Sequence, residues 1–66
     1  MTMAERVLWS NLRNQSKQLA ELLGKMKENA EAVHDEALLF HIRGAANQNT
    51  MIEMKIEVKA QEERWK

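Results

Sequence analysis

Residues 9–40 run WSNLRNQSKQLAELLGKMKENAEAVHDEALLF, and the apolar positions in this stretch are spaced four and three residues apart. We call this row the sequence seam; its members are Trp9, Leu12, Leu19, Leu23, Met26, Ala30, Val33, Ala37 and Phe40. Only Ser16 interrupts the row. This spacing is typical of a helix that is buried along one stripe against other helices. The stretch therefore predicts an all-α protein.

Helix boundaries are indicated by two short motifs and one glycine. Residues 2–5 and 50–53 both have the form of a capping box, with a threonine followed three residues later by a glutamate. Gly44 can adopt the left-handed conformation that ends a helix, and the polar stretch 45–49 after it resembles a connector. We therefore predict an uneven helical hairpin, with a long helix over about 3–43 and a short helix over about 51–65. Such a hairpin would assemble into a helical bundle or an antiparallel coiled coil.

Two alternatives remain open from the sequence. The long helix can break near Gly24, or between Asn29 and Asp35, because either of the latter two residues can cap a new helix. The chain would then close into a monomeric three-helix bundle. Residues 52–60 alternate strictly between apolar and charged residues, which is the period of a strand. The helix-favouring composition of this segment favours a helix.

In the predicted hairpin, large side chains of the short helix lie opposite small ones of the long helix. Met51 and Met54 would face Phe40 and Gly44. Val58 would face Ala37, and Trp65 would lie over Ala30. Ile52 and Ile56 would reach Leu38 and Ile42 on a second side. The residues predicted to pack the hairpin are Ala30, Val33, Ala37, Phe40, Gly44, Met51, Met54, Val58 and Trp65.

The short helix reaches back only to about residue 30, so the amino-terminal half of the seam has no cover from its own chain. Burying one large apolar side chain gains roughly 1.5–3 kcal/mol. Several exposed ones would forfeit a sum comparable with the stability of a small domain. We therefore predict a homodimer or higher homo-oligomer, or else another protein as partner. The predicted interface residues are Leu8, Trp9, Leu12, Leu19, Leu22, Leu23 and Met26.

Composition limits the class of protein. The chain has 66 residues, no cysteine and no proline, with ten basic and ten acidic residues and a net charge of zero. We expect one helical domain over residues 1–66 without disulfide support. A neutral chain has no overall field that attracts nucleic acid or an anionic membrane. With no secretory or membrane-spanning apolar run, a cytoplasmic protein is expected.

Candidate chemistry is sparse. Glu31 and His34 have the Glu-x-x-His spacing found in di-metal helical bundles, but they fall at the edge of the seam, so they are weak candidates for a metal site. His41, beside Phe40, is a candidate for a pH-sensitive packing residue. No nucleophile–base grouping or phosphate-binding loop can be assembled. We expect that the protein is not an enzyme and binds no metal and no cofactor.

One segment resembles a known DNA-binding motif. Residues 19–24, LAELLG, followed by Ala30 and Val33, resemble the core spacing of a helix-turn-helix. The resemblance implies a transcriptional regulator. However, Lys25 stands at the apolar turn position, and acidic residues follow it, so the local charges oppose binding of nucleic acid. The sequence therefore favours a small non-enzymatic interaction or regulatory module, with a helix-turn-helix regulator as the alternative.

Overall fold

A computed structural model describes residues 1–63, which form two helices, α1 (Met3–Ala32) and α2 (Glu36–Glu63). The helices fold back on each other as an antiparallel hairpin measuring 47 × 15 × 13 Å. The predicted all-α hairpin is thus confirmed, with α1 the longer helix. The described residues contain no strand, and 52–60 are helical.

The start of α1 is fixed by the first capping box. Thr2 is the N-cap, and its hydroxyl accepts a hydrogen bond of 3.1 Å from the backbone N–H of Glu5. That N–H has no partner within the helix, so the cap satisfies a group that would otherwise need water. The hydroxyl in turn donates to the Glu5 carboxylate at 3.2 Å. The first predicted helix start is confirmed.

The turn lies at residues 33–35 and closes α1 with a Schellman motif. His34 has a φ of 56°, and its N–H donates to the carbonyl of Glu31, while the N–H of Asp35 donates to that of Ala30. Asp35 then caps α2, because its carboxylate accepts a hydrogen bond of 3.0 Å from the Leu38 N–H. The break at Asp35, left open by the sequence, is the one that forms.

The predicted bounds of 3–43 and 51–65 are therefore wrong. Gly44 and residues 45–49 lie inside α2 and do not form a helix end or a connector. Thr50 is not a cap; its hydroxyl donates to the Ala46 carbonyl one turn back. A hairpin that turns at 33–35 has arms of nearly equal length, so each covers the other along its whole length. This burial outweighs the weak helix preference of Gly44 and the polar run after it.

Three layers hold the arms together, and in each of them residues of α1 and α2 meet. Trp9 packs against Ile56 and Ala60 near the open end. Leu23 and Ala30 cluster with Leu39 and Ile42 near the turn. Between these layers lies a buried polar pair, in which the Ser16 hydroxyl donates to the Asn49 side-chain oxygen at 3.0 Å.

The register differs from the predicted one. Met51 and Met54 lie on the same helix as Phe40 and Gly44, so the predicted pairing of these residues is wrong. Of the predicted hairpin-packing residues, Ala30 is in the core, whereas Trp65 lies outside the described residues. The amino-terminal half of α1 is also covered on one side by α2, which the sequence did not predict. The described residues form two helices, and not the three helices of the alternative bundle.

Candidate interaction surfaces

In each helix, a row of residues spaced by seven faces the other helix. In α1 the row has the partly buried Trp9 and the buried Ser16, Leu23 and Ala30; in α2 it has Ile42, Asn49 and Ile56, with the buried Leu39 and Ala60 beside it. This period places one row of each helix against the other and leaves two broad sides of the hairpin open. Because the molecule is a single layer of two helices, both sides and both outer edges face solvent.

One broad side has charged residues in both of its grooves, and we call it the polar side. Arg13, Lys17 and Glu57 line the groove near the open end, and Lys27 and Arg43 line the groove toward the turn together with apolar residues of both helices. Arg13 bonds Glu57 across the helices at 3.1 Å. Both side chains are partly or largely exposed, so this ion pair contributes little to stability. The charged side chains of this side are therefore solvated by water.

The opposite broad side is apolar, and we call it the apolar face. Near the turn, Met26 and Val33 of α1 line one groove together with Leu38 of α2. Leu12 and Leu19 lie on the same row as Met26 at intervals of seven, and Ile52 lies on the same row as Leu38. The face consists of Leu8, Leu12, Leu19, Leu22, Met26, Leu38 and Ile52, all of which are exposed in the single chain.

Five of the seven predicted interface residues belong to this face. The other two, Trp9 and Leu23, point toward α2 and form part of the hairpin core. The sequence seam combined two neighbouring rows of α1 side chains. In the structure, α2 covers one of these rows and leaves the other exposed. Leu38 and Ile52 were missed as interface residues, because the turn at 33–35 is needed to bring them beside α1.

A second apolar surface runs along the outside of α2, and we call it the outer stripe. It consists of Ala37, Phe40, Gly44, Met51, Met54 and Val58, with Asn47 at its middle. Phe40 is 73% exposed, and the other large members are exposed as well. These residues were predicted to pack the hairpin. The structure brings them together on one face of α2, but on the side that points away from α1.

The weak metal candidates do not form a site within the described residues. Glu31 lies in the last turn of α1, and His34 occupies the left-handed turn position, where its N–H bonds Glu31. No group of three or more potential ligands is found between residues 1 and 63. His41 makes an edge-to-face contact with Phe40, with ring centroids 5.7 Å apart, on the outside of α2.

Ser16 and Asn49 form a buried polar pair that was not predicted from the sequence. The Asn49 amide nitrogen also donates to the Ser16 carbonyl at 3.1 Å and to the Glu53 carboxylate at 3.3 Å, so its donors have partners. The sequence did contain a signal for this pair. Each residue is the polar member of an otherwise apolar row with a period of seven, and the two rows match in antiparallel order.

Comparison with protein-family models, with curated proteins and with solved structures found no match to this chain. None of the helices between residues 1 and 63 has the length and apolar character needed to cross a membrane. Inference about function therefore rests on the two apolar surfaces.

Proposed function

We propose that this protein is a small non-enzymatic interaction module that self-associates through its apolar face. The observation that carries the proposal is the exposure of that face in the single chain: Leu19 is 40% exposed, Leu22 53% and Leu8 61%. Contiguous apolar patches of this kind are uncommon on monomers and mark sites of association. The cytoplasmic location expected from the sequence stays a prediction.

The surface area of the chain supports association. The single chain exposes 5405 Å². A compact monomer of the same mass would expose only about 4300 Å². The excess is roughly 1100 Å², while a standard interface buries about 800 Å² on each partner. The radius of gyration of 14.9 Å likewise exceeds the value of about 11 Å expected for a compact chain of this length.

A second copy fits this face well. The α1 row carries the large side chains Leu12, Leu19 and Met26, whereas the α2 row has Ala45 between Leu38 and Ile52. In a face-to-face pair related by a two-fold axis, α1 of each copy can lie over the thinner α2 row of the other. The product is a four-helix arrangement of two hairpins, a common architecture for helices with one apolar side.

No observation favours the alternative of a DNA-binding regulator. A helix-turn-helix needs a turn near Gly24 and Lys25, but α1 is continuous through these residues. The polar side mixes Arg13 and Lys17 with Glu53 and Glu57, so it has no consistent positive charge toward phosphates.

The test is solution mass by light scattering over a dilution series, on the wild-type chain and on Leu19→Glu. We expect the wild type to exceed the monomer mass of 7.7 kDa at micromolar concentration. Leu19→Glu should lower the mass, because it places a charge in the paired face. Asn14→Glu is the matched control: Asn14 is exposed and lies on the far side of α1 from the face, so the mass of this variant should equal that of the wild type.

Two results would overturn the proposal. One is a folded monomer at high concentration; the other is an equal mass for wild type and Leu19→Glu. A parallel titration with random-sequence duplex DNA tests the alternative function. Binding that weakens steeply as salt rises would favour the regulator, and we expect no such binding.

A further inference from the structure

We propose that the outer stripe of α2 is a second self-contact, on which two copies pair with their α2 helices antiparallel. This contact adds to the proposed function but does not depend on it, because a row of polar residues separates the stripe from the apolar face. His41, Gln48 and Lys55 form that row. The two surfaces can therefore be occupied independently.

The spacing of the stripe is the first argument. Its positions 37, 40, 44, 47, 51, 54 and 58 alternate steps of three and four residues over three heptads, or about six helical turns. This is the repeat of a helix that packs against another helix along its length. Among residues 1–63 of the single chain, nothing covers it: α1 lies on the opposite side of α2, against Ile42, Asn49 and Ile56. A second helix is therefore the structure that this stripe fits.

Gly44 is the second argument. It lies in the interior of α2, where glycine weakens a helix relative to alanine. A Cβ added to Gly44 would meet no atom within 4 Å in the single chain, and the same holds for Gly24, so the hairpin itself requires neither glycine. Gly44 differs from Gly24 in lying on an exposed apolar stripe, where the missing side chain permits a close approach by a second helix.

The distribution of side-chain size selects a copy of the same chain in antiparallel orientation. The amino-terminal half of the stripe contains the small residues Ala37 and Gly44, with the larger Phe40 between them. The carboxyl-terminal half contains only large residues, Met51, Met54 and Val58. Antiparallel pairing places the small residues of each copy against the large half of the other. Parallel pairing would set Gly44 against Gly44 and crowd the methionines.

Charge agrees with this orientation. Arg43 and Glu57 flank the two halves of the stripe on the same side, so antiparallel pairing brings Arg43 near the partner's Glu57. Glu57 also bonds Arg13 of its own chain, but its side chain is 60% exposed and accessible to a second cation.

Thiol crosslinking tests the orientation, and the chain has no cysteine to interfere. An Ala37→Cys chain is mixed with a Val58→Cys chain and treated with a short bis-maleimide. Antiparallel pairing predicts a crosslinked dimer in the mixture and little product from either variant alone, since residue 37 lies about 30 Å from its own copy. Efficient crosslinking of Ala37→Cys to itself would show parallel pairing and contradict the proposal.

Glycine substitutions test the close approach without endangering the fold. Gly44→Ala should strengthen α2 as a helix, yet weaken association through the stripe by about tenfold or more, because the added methyl group overpacks the contact. Gly24→Ala is the matched control: its Cβ also meets open space, it lies on the polar side of α1, and we expect no change in association.

The two self-contacts are told apart by mass. Met51→Glu should remove only the stripe contact, and Leu19→Glu only the apolar-face contact, so each should leave a dimer where the wild type forms a larger assembly. Leu19→Glu should also retain the crosslink between residues 37 and 58. If that crosslink is absent and Met51→Glu leaves the mass unchanged, a copy does not cover the stripe, and the inference is wrong while the proposed function stands.

Discussion

At the scale of single residues, the buried Ser16–Asn49 pair fixes how the two helices align. A slip of one turn would leave the Asn49 amide among apolar side chains, and an unsatisfied buried polar group costs roughly 1–3 kcal/mol. The pair thus gives the otherwise repetitive rows a single favoured register. Ser16, which appears in the sequence as a fault in the seam, is the residue that sets the alignment.

We predict that Asn49→Leu lowers the free energy of unfolding by about 1–3 kcal/mol, because Ser16 then has no partner for its hydroxyl. Adding Ser16→Ala should restore most of the loss, since both polar groups are removed together. Urea unfolding at one fixed protein concentration measures both variants. Equal losses in the single and double variants would show that the pair does not act as a unit.

His34 holds a backbone conformation that suits glycine, with φ at 56°. Because a side chain in this region is strained by roughly 1 kcal/mol, we predict that His34→Gly raises the free energy of unfolding by up to about 1 kcal/mol. His34→Ala keeps a Cβ and serves as control, with no gain expected. Thermal unfolding at matched concentration compares them; a larger gain for alanine would contradict the turn geometry.

At the scale of elements, the sequence determined the helical character but not where the helices end. The spacing of the apolar residues predicted a helix in the region of α1 and argued against other secondary structure there. Thr2 correctly predicted where this helix starts. The turn was misplaced because Gly44 and Thr50 carry strong local signals, whereas the signals at His34 and Asp35 are weaker. Local preferences of about 1 kcal/mol were overridden by burial along two arms of nearly equal length.

Capping tests the position of the turn directly. We predict that Asp35→Ala lowers the free energy of unfolding by about 1 kcal/mol, because the Leu38 N–H loses its acceptor. Thr50→Ala should have an effect of less than about 0.5 kcal/mol, since Thr50 lies within α2 and alanine favours the helix. The reverse order of the two effects, measured by urea unfolding, would indicate a helix start at residue 50.

At the scale of the whole molecule, the surfaces could be predicted only in part. Leu8, Leu12, Leu19, Leu22 and Met26 were identified from spacing alone, because nothing in the chain is large enough to enclose their row. Leu38 and Ile52 required the position of the turn. The members of the outer stripe were predicted to pack the hairpin, but they are exposed on the side of α2 away from α1. Small residues face large ones in antiparallel order both in the predicted hairpin and in a two-fold pair of copies, so the sequence pattern alone could not distinguish the two.

A single layer of two helices has little core of its own, so folding and association should be linked. Only six apolar side chains are buried among the described residues. We predict that helical circular dichroism falls on dilution over the same concentration range in which the mass falls. Helicity that is unchanged across a dissociation would show that the hairpin is stable alone.

The proposed function requires that the apolar face of one chain is covered by a second copy. It is tested by the solution mass of the wild-type chain at micromolar concentration, beside Leu19→Glu and Asn14→Glu. We expect at least twice 7.7 kDa for the wild type and for Asn14→Glu, and a lower mass for Leu19→Glu. A well-folded wild-type monomer of 7.7 kDa would contradict it.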